Sequence, residues 1–180
     1  VDKPLVLIDV DGPLNPYGAK PTRRPEGYTT IRVQLPMAIV ARVPSAERRT
    51  LRVWLNPEHG PMLLAFAEKH DAELVWATTW EHDANIHIGP VIGLPELPVI
   101  EWGFKAHHWK FDGVLDYVGT RPFVWFDDDF GCFPMERHWF EGKRGRAPGR
   151  LHWVDPKIGL TQNDLDVAGE WLDDLKENDV

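Results

Sequence analysis

Three short apolar runs in this chain each end in side chains that handle metal ions, phosphate or protons. Residues 5–8 (Leu-Val-Leu-Ile) stop at two carboxylates, Asp9 and Asp11, with Gly12 next. Residues 73–78 close on Thr78, followed by Thr79. Residues 121–126 close on Asp127, Asp128 and Asp129. Two acids one residue apart at a buried strand end are costly unless a positive charge joins them, such as a hard metal ion. A carboxylate-bound metal beside a third polar group suits phosphoryl chemistry.

The elements that must position these groups follow from pattern. The three runs are too short for buried helices and rich in strand formers, so each reads as a buried strand. In open α/β sheets, ligands bind beyond the carboxyl ends of the strands. The three polar ends therefore converge on one crevice if the strands lie side by side. Helices are predicted between the strands. One runs from Pro57 to about His70, with Asn56 as its cap and Met62, Leu63, Phe66 and Ala67 on its apolar face. Others cover residues 81 to about 88, 106–118 and 134–141. Residues 151–154 read as the last strand. Thr161 caps a C-terminal helix, where Leu160 staples against Leu165 and Ala168, Leu172 and Leu175 continue the stripe.

This alternation predicts an α/β, Rossmann-like three-layer domain with a central parallel sheet. Residues 29–35, 38–43 and 50–55 interrupt it as strands alone, with residues 44–47 a hairpin turn between the last two. They fall between the first core strand and its crossover helix. Residues about 15–56 should then form a small β-flap over the active edge, within one domain spanning residues 1–180. Residues 15–28, 89–98 and 142–150 read as loops.

Composition bounds the function. A length of 180 residues suits one domain, and nine tryptophans can help fill its core. A net charge of −8 argues against a general nucleic-acid coat, though not against a locally gripped anion. One cysteine, Cys132, excludes an internal disulfide framework and fits a cytoplasmic setting. No apolar stretch approaches the ~18 residues of a membrane span. Val-Asp-Lys-Pro runs straight into the first strand, so no signal peptide is expected.

Residues 9–14 (Asp-Val-Asp-Gly-Pro-Leu) resemble the first motif of the haloacid dehalogenase-like (HAD) phosphohydrolases. Leu74-Val-Trp-Ala-Thr78 is similar to their second, Lys110 to their third, and Val124-Trp-Phe-Asp127-Asp128 to the double-aspartate form of their fourth. The resemblance implies a phosphomonoester hydrolase. Asp9 would be the nucleophile that forms an aspartyl-phosphate, and Asp11 the acid and base. Mg²⁺ would be held by Asp9, the Asp11 backbone carbonyl and Asp128, with Asp127 directing a metal-bound water. Thr78 would hold a phosphoryl oxygen, with Thr79 its competitor. Lys110 would neutralise the phosphoryl group and Asp9, and Lys105 is the other lysine nearby. The chain departs from the family at Pro13, which lacks an N–H to donate.

Plainer readings stand beside these. Asp9/Asp11 and Asp127–Asp129 could be solvated turns, Thr78 a strand-end hydroxyl and Lys110 a surface lysine. A calcium loop is disfavoured, because its twelfth position is Lys20 rather than Glu. His82, His87, His107 and His108 lack metal-site spacing, and Cys132 lies one residue short of a Cys-x5-Arg loop. Trp80 could stack on a substrate ring. The basic loop 142–150, or the pairs Arg23/Arg24 and Arg48/Arg49, could clamp a second phosphate or a nucleic-acid end. The expected substrate is a phosphorylated small molecule, with nucleotides favoured by analogy. The rivals are a nucleic-acid 3′-phosphatase and a catalytically weak HAD-like binding protein, the latter motivated by Pro13.

Overall fold

Alternate residues of a strand face opposite sides of its sheet, and here both sides are apolar. Strand β1 (Leu5–Ile8) sends Val6 and Ile8 into one buried cluster and Leu5 and Leu7 into another. β5 (Phe123–Asp127) does the same with Val124 and Phe126 against Phe123 and Trp125. Such two-sided burial requires a layer of helices on each face. The computed structural model, which describes residues 3–34, 50–102 and 110–178, has that arrangement.

The central sheet has four parallel strands, with β4 (Glu73–Trp76) and β5 flanking β1, and β6 (Gly149–Trp153) outside β5. One bridge, Trp76 to Val99, adds a rudimentary partner along β4. Helix α1 (His59–His70) and the C-terminal helix α5 (Gln162–Asn178) cover the Val6/Ile8 face. α3 (Lys110–Val118) and α4 (Pro134–Arg144) cover the other, where Phe111 and Phe140 meet at 5.4 Å between ring centroids. A π-helical turn (Ala84–Ile88) and the short α2 (Gly89–Ile92) follow β4. The fold is thus α/β, compatible with a Rossmann-like architecture. Among the described residues, no helix is long and apolar enough to cross a membrane.

The flap is a two-stranded antiparallel ribbon of β2 (Thr29–Gln34) and β3 (Thr50–Leu55). Ile31, Val33, Leu51 and Val53 join the core on one face of it. β3 pairs with β2, while the strand expected at 38–43 and the turn expected at 44–47 lie outside the described residues. So do Arg48, Arg49, Lys105, His107 and His108, together with residues 106–109 of the predicted helix.

Several boundaries differ from the expectation. α1 starts at His59, after a turn in which Asn56 Oδ1 accepts the Glu58 N–H at 3.1 Å. Asn56 thus satisfies a backbone donor outside the helix proper. Residues 89–92 are helical, not loop. Pro90 sits in the first turn, where its missing N–H costs nothing, and Gly93 ends the helix at φ +82°. The predicted basic loop 142–150 largely vanishes into α4 and β6. Buried Arg144 donates to the carbonyls of Gly119, Arg121 and Pro148, so it ties α4 to the start of β5 instead of gripping a ligand. At the C-terminal helix, Thr161 Oγ1 accepts the Asp164 N–H at 3.3 Å and Asp164 Oδ2 accepts the Thr161 N–H at 2.8 Å, a reciprocal cap.

Candidate active site

Register and strand parity bring the first two acids together. Ile8 of β1 pairs with Phe126 of β5, so the next residues, Asp9 and Asp127, stand level at the carboxyl end of the sheet. The Asp9 N–H continues the ladder to the Phe126 carbonyl at 3.0 Å. Asp9 shares the parity of Leu5 and Leu7, and Asp127 that of Phe123 and Trp125. Both acids therefore fall on the face covered by α3, where Lys110 waits.

Lys110 Nζ lies 2.5 Å from Asp9 Oδ2 and 2.7 Å from Asp127 Oδ2, with Asp129 Oδ2 at 3.6 Å. The lysine and Asp9 are each only 3% exposed. Burial alone would lower the pKa of this ammonium, but the Asp9 and Asp127 carboxylates outweigh it and hold the pKa above the ordinary lysine value. Asp9 Oδ1 accepts the Val10 N–H at 2.7 Å, and Asp127 Oδ1 accepts the Asp129 N–H at 2.8 Å.

Asp128 turns the other way and accepts the Tyr17 hydroxyl at 2.6 Å. Burial pushes its carboxyl up to about 6, against the pull of the Tyr17 hydrogen bond. Asp127 is also raised well above the usual carboxylate range, by burial first and then by Asp9. One oxygen each from Asp9, Asp127 and Asp128 fall within 4.8 Å of one another. This all-oxygen set could hold a hard cation. The raised carboxyls of Asp127 and Asp128 express the same fact in another form: burial leaves them short of positive charge.

Gly12 makes this crowding feasible. Its φ is +90°, and a Cβ there would sit 2.3 Å from Asp128 Oδ1. The turn it permits carries Asp11 out of the carboxylate cluster. Asp11 Oδ1 accepts the Asn15 side-chain amide at 2.7 Å and Oδ2 the Trp80 indole N–H at 3.0 Å. Burial, then Asp9, raises the Asp11 pKa, and the two hydrogen bonds hold it back. The Pro13 carbonyl accepts the Leu160 N–H at 2.7 Å, which fixes this loop against the start of α5.

The two threonines part company. Thr78 is fully buried, and its hydroxyl oxygen accepts the Trp80 N–H at 3.3 Å. Thr79 is exposed and lines a cleft of about 390 Å³ together with Asp9, Asp11, Lys110 and Asp128. Trp80 is 2% exposed with its N–H committed to Asp11, so it is a support for that acid and not a platform for a substrate ring. Cys132 is exposed, and His82 pairs with Glu101 at 2.8 Å.

Sequence reasoning missed Asn15, Tyr17, Arg52 and Trp54. Asn15 bridges the loop to the flap, since its Oδ1 also accepts the Trp54 N–H at 3.0 Å. Arg52 lines the cleft from β3. Asn15 and Tyr17 follow the Asp9–Gly12 turn directly, and that proximity was the available signal. A carboxylate held beside an ammonium, an acid cluster that could hold a cation and a second acid with a raised pKa could together support a nucleophilic displacement at an electron-poor centre. Compared with family models, curated proteins and solved structures, the chain gives no match.

Proposed function

We propose that this protein is a phosphomonoester hydrolase that works through an aspartyl-phosphate on Asp9. The observation that carries the reading is Lys110, buried between Asp9 and Asp127, with Asp128 completing an oxygen cluster beside them. A carboxylate approaches a phosphate dianion only where the accumulating negative charge is offset. The likeness of these residues to the HAD motifs adds to this reading.

In the first step an Asp9 oxygen attacks phosphorus and the bond from phosphorus to the leaving oxygen breaks. Asp11 gives that oxygen its proton. In the second step water attacks the phosphorus of the aspartyl-phosphate while Asp11 takes a proton from it. The bond from phosphorus to Asp9 then breaks and inorganic phosphate leaves. Asp11 suits both roles, because its raised pKa keeps a proton available at higher pH than an ordinary carboxyl. Lys110 offsets charge on Asp9 and the phosphoryl group, and Thr79 or Thr78 would hold a phosphoryl oxygen. Asp9, Asp127 and Asp128, with the Asp11 backbone carbonyl, would hold Mg²⁺, which supplies further charge neutralisation when bound. A phosphorylated small molecule, by analogy a nucleotide, is the substrate class, and the cytosol would keep exposed Cys132 reduced.

Hydrolysis of p-nitrophenyl phosphate with and without Mg²⁺, wild type beside Asp9→Asn, tests the proposal. Mg²⁺-dependent release that vanishes in the variant supports it. Full activity in Asp9→Asn removes the nucleophile, and binding of phosphate esters without turnover favours a binding protein.

A further inference from the structure

The flap carries positive charge that the phosphoryl chemistry above does not use. Arg32 and Arg52 are directly opposite in the β2–β3 register, so they share one face of the ribbon. Like charges at opposed positions destabilise a strand pair. The chain has 28 acidic against 20 basic residues, yet among the described residues no carboxylate pairs with either arginine. Arg24 joins the same face through its 2.8 Å hydrogen bond to Thr30.

Arg52 is the member that lines the cleft, together with Asp9 and Lys110. Its guanidinium lies over the Trp54 ring at 4.5 Å. Trp54 is itself buried, and its N–H is fixed by Asn15, whose amide also holds Asp11. A continuous set of contacts therefore runs from the second acid to Arg52. A guanidinium held over a ring by its charge can still offer its N–H groups for a planar, two-point grip on an oxyanion.

We propose that Arg52, assisted by Arg32, holds a second phosphate of the substrate, so that the preferred substrate is a phosphomonoester bearing two phosphate groups. This rests on the phosphatase reading of the same cleft. Asp9, Asp11, Asp128 and Asp129 line the cleft beside Lys110 and make it acidic, which disfavours an anion placed away from the lysine. The flap side, where Arg52 lines the cleft and Arg32 stands opposite it in the ribbon, is the place for a second phosphate. Holding it there also relieves the repulsion between Arg32 and Arg52.

Calorimetric titration of the Asp9→Asn protein tests this without turnover. The ligands are adenosine 5′-monophosphate, adenosine 3′,5′-bisphosphate and a dinucleotide ending in a 3′-phosphate. The ligands with two phosphates should bind about ten- to a hundredfold more tightly than the monophosphate, as expected for charge-assisted hydrogen bonds. Adding Arg52→Ala should erase most of that advantage, and Arg52→Lys should restore only part. Both substitutions lie on an exposed strand position, and an unchanged melting temperature checks that the flap persists. A tighter dinucleotide with steep salt dependence assigns the second phosphate to a nucleic-acid chain, and a tighter bisphosphate assigns it to a small molecule. Either upholds the proposal. Equal affinity for one and two phosphates, or an advantage that survives Arg52→Ala together with Arg32→Ala, overturns it. Wild-type protein that prefers two phosphates but hydrolyses none of these ligands sinks the phosphatase reading alone, whereas turnover without the preference sinks Arg52 alone.

Discussion

Replacing Lys110 with Met isolates the charge at the centre of the site. The two side chains are of similar length, and both are good helix formers, so α3 itself should be little affected. The ammonium lies 2.5 Å from Asp9 and 2.7 Å from Asp127 and is 3% exposed. Removing one partner from a buried ion pair leaves uncompensated buried charge and costs roughly 3–5 kcal/mol. For a chain of this size about 2–4 °C accompanies each kcal/mol, so the melting temperature at pH 7 should fall by roughly 6–20 °C. The loss should depend on pH. Asp127 already has its pKa raised above the 3.8 of an ordinary aspartate by burial and Asp9, and Lys110 is what restrains it. A folded-state pKa raised in this way means stability is present at low pH and lost as pH rises through it. The gap between variant and wild type should thus be widest near pH 8 and narrow as pH falls toward 4. Millimolar Mg²⁺ should return part of the loss, since a cation then replaces the missing one. Thermal melts across pH read all three effects. A fall under about 3 °C, or one that is the same at every pH, would refute the reasoning, because the stated magnitude and the titration both follow from buried carboxylates.

Three other perturbations probe the surroundings. His59 Nε2 donates to the Leu160 carbonyl at 3.0 Å, and burial lowers the ring's pKa from 6.5 to about 4. The unfolded chain therefore takes up a proton that the folded one refuses. Stability should fall by about 3 kcal/mol as pH drops from 6.5 through 4. His59→Gln, which can keep the donor, should flatten that stretch of a urea-denaturation profile. Gly12→Ala puts a methyl 2.3 Å from Asp128 Oδ1 at φ +90°. It should weaken Mg²⁺ binding at least about tenfold by titration calorimetry and cost about 1–3 kcal/mol of stability. Trp80→Phe removes the N–H that steadies ionised Asp11. Asp11 should then titrate higher, so the pH profile of kcat should move in the alkaline direction while its maximum drops.

Much of this was legible because the apolar runs end so abruptly. Leu5–Ile8 and Phe123–Phe126 are apolar throughout, and the next residue in each is an aspartate; side-by-side strands then leave Asp9 and Asp127 adjacent. The cap of α5 was legible because Thr161 and Asp164 satisfy each other within one turn. What stayed hidden depends on partners far along the chain. Tyr17 meets Asp128 across 111 positions, and Trp80 meets Asp11 across 69. Nothing local separates an indole that props an acid from one that stacks on a ligand. The 142–150 segment misled for a related reason. Its glycines and basic residues suggest a solvated loop, but three backbone carbonyls satisfy Arg144 well enough to bury it. The Gly89-Pro90 pair reads as a break, yet a proline in the first turn of a helix breaks nothing.

Acid-quenched single turnover with ³²P-labelled p-nitrophenyl phosphate and Mg²⁺ would trap the aspartyl-phosphate itself. One phosphoryl group per protein should appear transiently, sensitive to hydroxylamine and mapped to the peptide containing Asp9. Turnover with no labelled protein, or label on any residue other than Asp9, would contradict an aspartyl-phosphate on Asp9.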